Sequence, residues 1–461
     1  MACAHGTAPL SDDVLVQPGV TVILIASDGG RYFAKAAPGQ QVRIGKVNVQ
    51  VSALVGTPYG SVFDIGKNKL VLLPGEEHLT RTEASSSALA DDAATVADNR
   101  DLVDDGSSQK LTSEAIEELR SSGASGQDII AALVQNSESW ESKTVFSQQK
   151  WLARKEKKYA PRVRVVRADA ESVCESYLIK NHDKVSNLRF DSLAQILAFA
   201  NIHAGSQAIV FDTCMGVVLG AVTERLGGHG RILAPYAGVH PSCDAMRQFN
   251  FPPSVEASVV HFHTSEIGQL QATAGEVPTD VSEAAVARKT KEMINVIPET
   301  LAAKLAGMKD DKARSTYMEK RNDRIRRQCR KPDPTNIRHW LRLQSDSLII
   351  ATTFDPTLVL LELWPCLAHA APFVIFCEFI EPLVQCFREI QKRCIACKLQ
   401  LSNTWTREYQ VLPGRTHPAM HMSACSGFLL TGVKVHKRDD GWHFVEKVTD
   451  GRKKAKLDAS E

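Results

Sequence analysis

No apolar run in this 461-residue chain approaches the length of a membrane span, so no membrane-crossing helix is expected. The opening residues, MACAHGTAPLSDD, lack a basic region followed by an apolar core, and no secretory leader is expected either. Net charge is scarce. Against 53 Asp and Glu stand 55 Lys and Arg, so whole-chain charge argues for no partner and any electrostatic function must come from local clusters. A zinc pattern is missing as well. Cys394 and Cys397 form one CxxC, but Cys377 and Cys386 lack the spacing of a second pair, and no metal site is expected. The eleven cysteines are scattered, which fits a reducing compartment, cytosol or nucleus. The 43% hydrophobic content is that of a globular protein with room for two or three cores.

The chain is organised around residues 207–238, QAIVFDTCMGVVLGAVTERLGGHGRILAPYAG. Ala208 to Asp212 is a short apolar run, as in a strand buried on both faces. Gly216 and Gly220 fall where a helix begins, Gly227, Gly228 and Gly230 end it, and a second strand starts at Ile232. That grammar opens a Rossmann-like sheet, where a nucleotide or S-adenosylmethionine would sit. The cofactor site itself is degenerate. Asp212 supplies an acid and Gly216 one glycine, but Cys214 and Val218 hold two of the three expected glycine positions. Their side chains are expected to occupy ligand space. The second strand ends in Ala234, Pro235, Tyr236 and Ala237, with no carboxylate for the ribose hydroxyls. No cofactor is therefore expected on this chain, and no catalytic residue.

Residues 12–75 read as an N-terminal β-rich domain, a small barrel or sandwich. Val20, Val22, Leu24 and Val47, Val49, Val51 alternate with their neighbours between PG, DGG and GTPYG spacers. Residues 76–108 read as a linker. Residues 109–186 read as a helical connector, with Thr112 as a helix cap and a basic helix ending at Tyr159. Lys150, Arg154, Lys157 and Lys158 share one face of that helix, with Lys155 on its flank. Like charges at that spacing oppose an isolated helix, and a polyanion along the face would relieve them. An extended run follows in which Arg162 and Arg164 share one side and Arg167 the other. Seven cations against one acid from Trp151 to Arg167 make this the candidate RNA-binding surface, with a solvated basic helix as the plain alternative.

Residues 187–264 and 341–446 read as the two parts of the Rossmann-like domain, α/β in class, with Glu408–Leu412 and Gly427–Val435 as the closing antiparallel pair. Residues 265–340 read as a polar, basic insertion. Lys320, Arg324 and Arg327 lie there at helical spacing and form a second, weaker candidate for RNA. Asp355, after the fourth strand, stands where a displaced catalytic acid could be, but more simply caps the helix that Pro356 begins. The tail, 447–461, contains GRKKAK, which reads as a nuclear address or a charged tail.

Several segments, in this order, carry a family resemblance: IGKVNVQVSALVGTPYGSVFDI, NRDLVDDGSSQKLT, QQKWLARKEKKY, RFDSLAQILAFANIHAG, VFDTCMGVVLGAVTERLGGHGRI and TWTREYQVLPGRTHP. Together they resemble the non-catalytic subunit of eukaryotic tRNA (adenine-58-N1) methyltransferase. The resemblance implies a β-rich domain, a helical connector and a Rossmann-like methyltransferase domain without a working cofactor site. It implies a heterotetramer of two such chains with two catalytic subunits, in which the partner binds S-adenosylmethionine and methylates N1 of a T-loop adenosine. This subunit would help bind and position the tRNA. Two other classes stay open on the residues alone: an active methyltransferase with an unusual site, and an RNA-binding scaffold in translation initiation.

Overall fold

The computed structural model describes residues 14–66, 68–73, 109–122, 124, 126–141, 143, 145–273, 275–307, 310–411, 416–422 and 424–436. The expected linker, 76–108, and the tail, 447–461, lie outside the described residues.

Short β-prone runs between glycine turns produce β1 (Thr21–Ala26), β2 (Arg31–Lys35), β3 (Gln41–Ile44), β4 (Val47–Gln50), β5 (Val62–Ile65) and β6 (Leu70–Leu72). Three helices follow: α1 (Ser113–Ser121), α2 (Gly126–Gln135) and α3 (Val145–Tyr159). Thr112 caps α1, its hydroxyl accepting the Ala115 N–H at 3.3 Å. The chain then returns as β7 (Arg162–Arg167), which pairs antiparallel with both β1 and β5. The resulting five-stranded order is β2-β1-β7-β5-β6, with β3 and β4 as a separate hairpin. Residues 162–167, read from sequence as part of the helical connector, are thus the central strand of the N-terminal sheet. The reason is period two: Val163 and Val165 enter a core with Val22, Leu24, Val49 and Phe63.

Helix α4 (Ala170–Asn181) is capped by Asp169, and α5 (Phe190–Phe199) leads into the second unit. In chain order come β8 (Gln207–Asp212), α6 (Val217–Leu226), β9 (Arg231–Tyr236), α7 (Pro253–Glu256), β10 (Val259–His263) and α8 (Ser265–Gly268). Next are α9 (Glu283–Asn295), α10 (Glu299–Ala306), α11 (Asp311–Arg330) and α12 (Pro334–Arg342). Then follow β11 (Ser347–Ala351), α13 (Pro356–Leu363), β12 (Pro372–Cys377), α14 (Ile380–Arg393), β13 (Ala396–Trp405), β14 (Tyr409–Gln410), β15 (His417–Pro418) and β16 (Cys425–Lys434). They build a seven-stranded sheet of order β10-β9-β8-β11-β12-β16-β13, in which β16 alone runs against the other six strands. The antiparallel closing pair is therefore β13 with β16. Glu408–Leu412 is not part of it, because Tyr409 and Gln410 pair locally with Pro418 and His417.

Both faces of the sheet are covered. Val210, Ile349 and Val374 pack on one side, and Ile209, Phe211, Ile350 and Ile375 on the other. Helix α12, which begins inside the expected insertion, belongs to the second core through Ile337, Trp340 and Leu341. Its Arg338 is buried and ion-paired to Glu266 at 2.5 Å and Glu276 at 2.6 Å, which ties the two ends of the expected insertion to each other. The N-terminal sheet packs on the larger one through Ile23, Phe33 and Val166. An Arg31–Glu175 ion pair and two hydrogen bonds between Asn250 and the Thr21 backbone, 2.6 and 2.7 Å, close that seam. Among the described residues no helix is long and apolar enough to cross a membrane.

Candidate functional site

The strand order reverses between β8 and β11, and a ligand of this architecture binds at such a point, beyond the strand C-termini. Asp212 sits there with its carboxylate turned onto its own loop. One oxygen accepts the Cys214 N–H at 2.6 Å and the other the Leu219 N–H at 2.9 Å. Burial raises its pKa from 3.8 to about 6, against the loop N–H groups of Leu219, Cys214, Gly216 and Val218, which favour the charged form.

The loop above it is covered by protein. Met215 and Gly216 are left-handed, at φ 58° and 81°, and the short turn Asp244–Gln248 lies against them. The Ala245 N–H donates to the Met215 carbonyl at 2.9 Å. A Cβ added to Gly216 would lie 2.7 Å from Cys243 Cα, and one added to Gly220 would lie 2.3 Å from the Phe249 ring. These glycines admit another segment of the same chain. Cys214 and Val218, by contrast, are fully buried in the core beneath. Their side chains pack inward, and residues 243–249 lie over the loop. No motif in the sequence announced that turn; Phe249 above Gly220 is its only trace.

The other strand ends carry little chemistry. Asp355 caps α13, accepting the Thr357 N–H at 2.8 Å, as its position before Pro356 suggests. A cavity of 560 Å³ opens beyond β8, β10 and β11, walled mainly by Phe211, Phe354, Leu358 and Ile267, with Glu362 its sole carboxylate. Cys394, left-handed at the end of α14, and Cys397 in β13 are both exposed, whereas Cys377 and Cys386 are buried. Among the described residues no group of three or more His, Cys, Asp or Glu is placed to hold a metal.

The basic face has a definite geometry. On α3, Lys150, Arg154, Lys157 and Lys158 are exposed, and Lys155 is partly covered. The Lys155 ammonium lies 5.1 Å from the Trp151 ring and 5.9 Å from that of Tyr159, and the Lys158 ammonium lies 5.0 Å from the latter ring. Trp151 in turn meets Trp140 edge-on at 5.2 Å. Aromatic rings thus lie beside two of the cations, Lys155 and Lys158. The extension into β7 is different. Arg162 is buried, its Nε 3.2 Å from Asp64, and Arg164 is half-buried in the sheet. Arg162 is therefore removed from the face that the four α3 cations share, because its strand is central in the N-terminal sheet. In the insertion, Lys320 and Arg324 are exposed on α11, the helix that also carries Arg327.

A model of the Gcd10p family matches residues 15–297. The chain belongs to the Gcd10p family. Curated relatives agree with the assignment. The chain is 34% identical to the tRNA (adenine(58)-N(1))-methyltransferase non-catalytic subunit of Dictyostelium discoideum, over 92% of this chain and 80% of that one. It is 33% identical to the subunit of that name from Mus musculus, over 83% of this chain and 81% of that one. Solved structures with a similar course include the tRNA (m1A58) methyltransferase TrmI of Aquifex aeolicus, with a TM-score of 0.42 and 12% identity over 92% of this chain and all of that one. A SAM-dependent O-methyltransferase of Thermotoga maritima has a TM-score of 0.45 and 9% identity over 93% and 97%.

Proposed function

We propose that this member of the Gcd10p family is the non-catalytic subunit of a tRNA 1-methyladenosine methyltransferase, binding and positioning tRNA while a catalytic partner methylates N1 of the T-loop adenosine. One observation carries the reading: relatives named as that subunit match 92% and 83% of the chain. The N-terminal unit is read as barrel-like, with its hairpin beside the sheet, and the larger unit as a methyltransferase domain whose cofactor site is degenerate.

The residues around β8 do not fit S-adenosylmethionine. Cys243 covers the backbone of Gly216, Asp212 is occupied by its own loop, and β9 ends at Tyr236 without a carboxylate. The cofactor is therefore assigned to the partner. Four exposed cations on one face of α3 suit phosphates spaced along a duplex. Each phosphate they neutralise releases condensed counterions, giving affinity and orientation without reading sequence. Trp405, Tyr409, Val411 and Met420, exposed at the β13–β16 end, support an obligate partner chain. The assembly is read as two of each subunit, located in the nucleus.

The test is reconstitution. Methyl transfer to tRNA should need both chains, and this chain alone should neither methylate tRNA nor bind S-adenosylmethionine. Methylation by the purified single chain would refute the reading.

A further inference from the structure

A second cleft lies away from the strand ends, where the insertion leans on the outer edge of the sheet. It measures 870 Å³ and lies between the start of β9, the segment before β10, and helices α9 and α11. Four cations line it: Arg231, Lys291, Arg326 and Lys331. No carboxylate is among the described lining residues.

Arg231 is half-buried. Its guanidinium lies 3.8 Å from the centre of the Trp340 ring, and it donates to the Gln207 side-chain oxygen at 3.1 Å. No ion pair to a described carboxylate holds it, and burial lowers its pKa. Lys291 and Lys331 are exposed. Arg326 is also exposed and shares its charge with Asp323 at 2.8 Å. Val286 and Ile294, on the same helix as Lys291, and Val281 just before it add apolar surface to the lining, and Ser258 and Thr290 add hydroxyls. Cations interleaved with apolar surface suit a ligand that carries both a phosphate and a planar base.

The charge does not stop at the mouth of the cleft. Lys320 and Arg324 are exposed on α11, and Lys331, just past its end, carries the basic surface into the cleft. That continuity favours a polymer over a free nucleotide. A volume of 870 Å³ suits a short stretch of single strand rather than a duplex. We propose that this cleft binds the phosphodiester backbone of an unpaired segment of the tRNA, with a base against the apolar surface of Val281, Val286 and Ile294. The proposal rests on the tRNA-binding reading above and adds to it a second contact, separate from α3.

The test uses the complex with the catalytic partner and compares the wild type with Lys291→Ala/Lys331→Ala and Lys291→Glu/Lys331→Glu. Both positions are exposed, so assembly should be unaffected. Two lost single-strand contacts should lower the slope of log affinity against log salt by about 1.4 and weaken tRNA binding about 10- to 30-fold near 0.1 M salt. Charge reversal should weaken it further. Crosslinks from 4-thiouridine-substituted tRNA should map to peptides holding Lys291 or Lys331. Unchanged affinity and slope in both variants would overturn the proposal while leaving the α3 contact standing. Saturable binding of AMP, lost in the variants while tRNA binding is unchanged, would overturn it in favour of a free nucleotide. A wild-type complex that fails to bind tRNA would sink the functional reading itself, and this proposal with it.

Discussion

Replacing Arg154, Lys157 and Lys158 together by alanine isolates what the α3 face does. All three are exposed, none makes an ion pair with a described carboxylate, and alanine is the best helix former. Arg154 and Lys158 are four residues apart, and Arg154 and Lys157 three, so their removal relieves a few tenths of a kcal/mol of repulsion per pair. Lys158 loses its position over Tyr159, an exposed contact worth about 0.5–1 kcal/mol. These effects oppose each other, so folding stability should shift by no more than about 1 kcal/mol. Binding should change far more. Three duplex phosphates carry about 0.9 each in the salt slope, so the slope should flatten by about 2–3. Between 50 and 200 mM salt the wild-type complex should then lose about 30-fold more affinity than the variant. Fluorescence anisotropy of labelled tRNA across that range reads both quantities. Methylation should fall mainly through a higher KM, since the reacting groups lie on the partner. If affinity and slope are both unchanged, α3 is a solvated helix and the RNA contacts lie elsewhere.

Four further outcomes follow from particular residues. Arg162→Ala should lower stability by about 1–3 kcal/mol, by removing the charged hydrogen bond that buried Arg162 donates to Asp64, and should leave the salt slope for tRNA alone; chemical denaturation and the anisotropy assay separate the two. Gly216→Ala should destabilise the complex by about 1–3 kcal/mol, since a left-handed φ and a 2.7 Å approach to Cys243 both resist a Cβ; an unchanged melting temperature would refute the covered-loop account. Asp212 has a folded pKa raised from 3.8 to about 6, so the native state holds its proton more tightly, and this group's stabilising contribution is full below pH 3.8 and declines as pH rises to about 6; Asp212→Asn should remove that pH-dependent component, as denaturation curves between pH 4 and 7 would reveal. Calorimetry on the isolated chain should detect no S-adenosylmethionine binding, and a micromolar constant would contradict the assignment of the cofactor to the partner.

Much of the larger unit was legible locally. A strand buried on both faces must be apolar throughout, and β8, β11 and β12 announce themselves that way, as does α6 between its glycines. The N-cap role of Asp355 follows from its place before Pro356. The four α3 cations are exposed together because helical spacing alone puts them on one face. What local pattern could not supply was pairing. Period two brought Arg162 and Arg164 to one side of a strand, but only the tertiary structure decided that this strand is central, and that Arg162 is buried against Asp64. The closing strand was misplaced because Ala396–Trp405 and Glu408–Leu412 both suit an edge, and register with β16 chose the former. The closed loop is the clearest case. The sequence by itself showed two glycines and an acid missing. That Cys243 and Phe249, more than twenty residues along the chain, lie on Gly216 and Gly220 depends on how the β9–β10 connection folds back, and no residue within the loop carries that information.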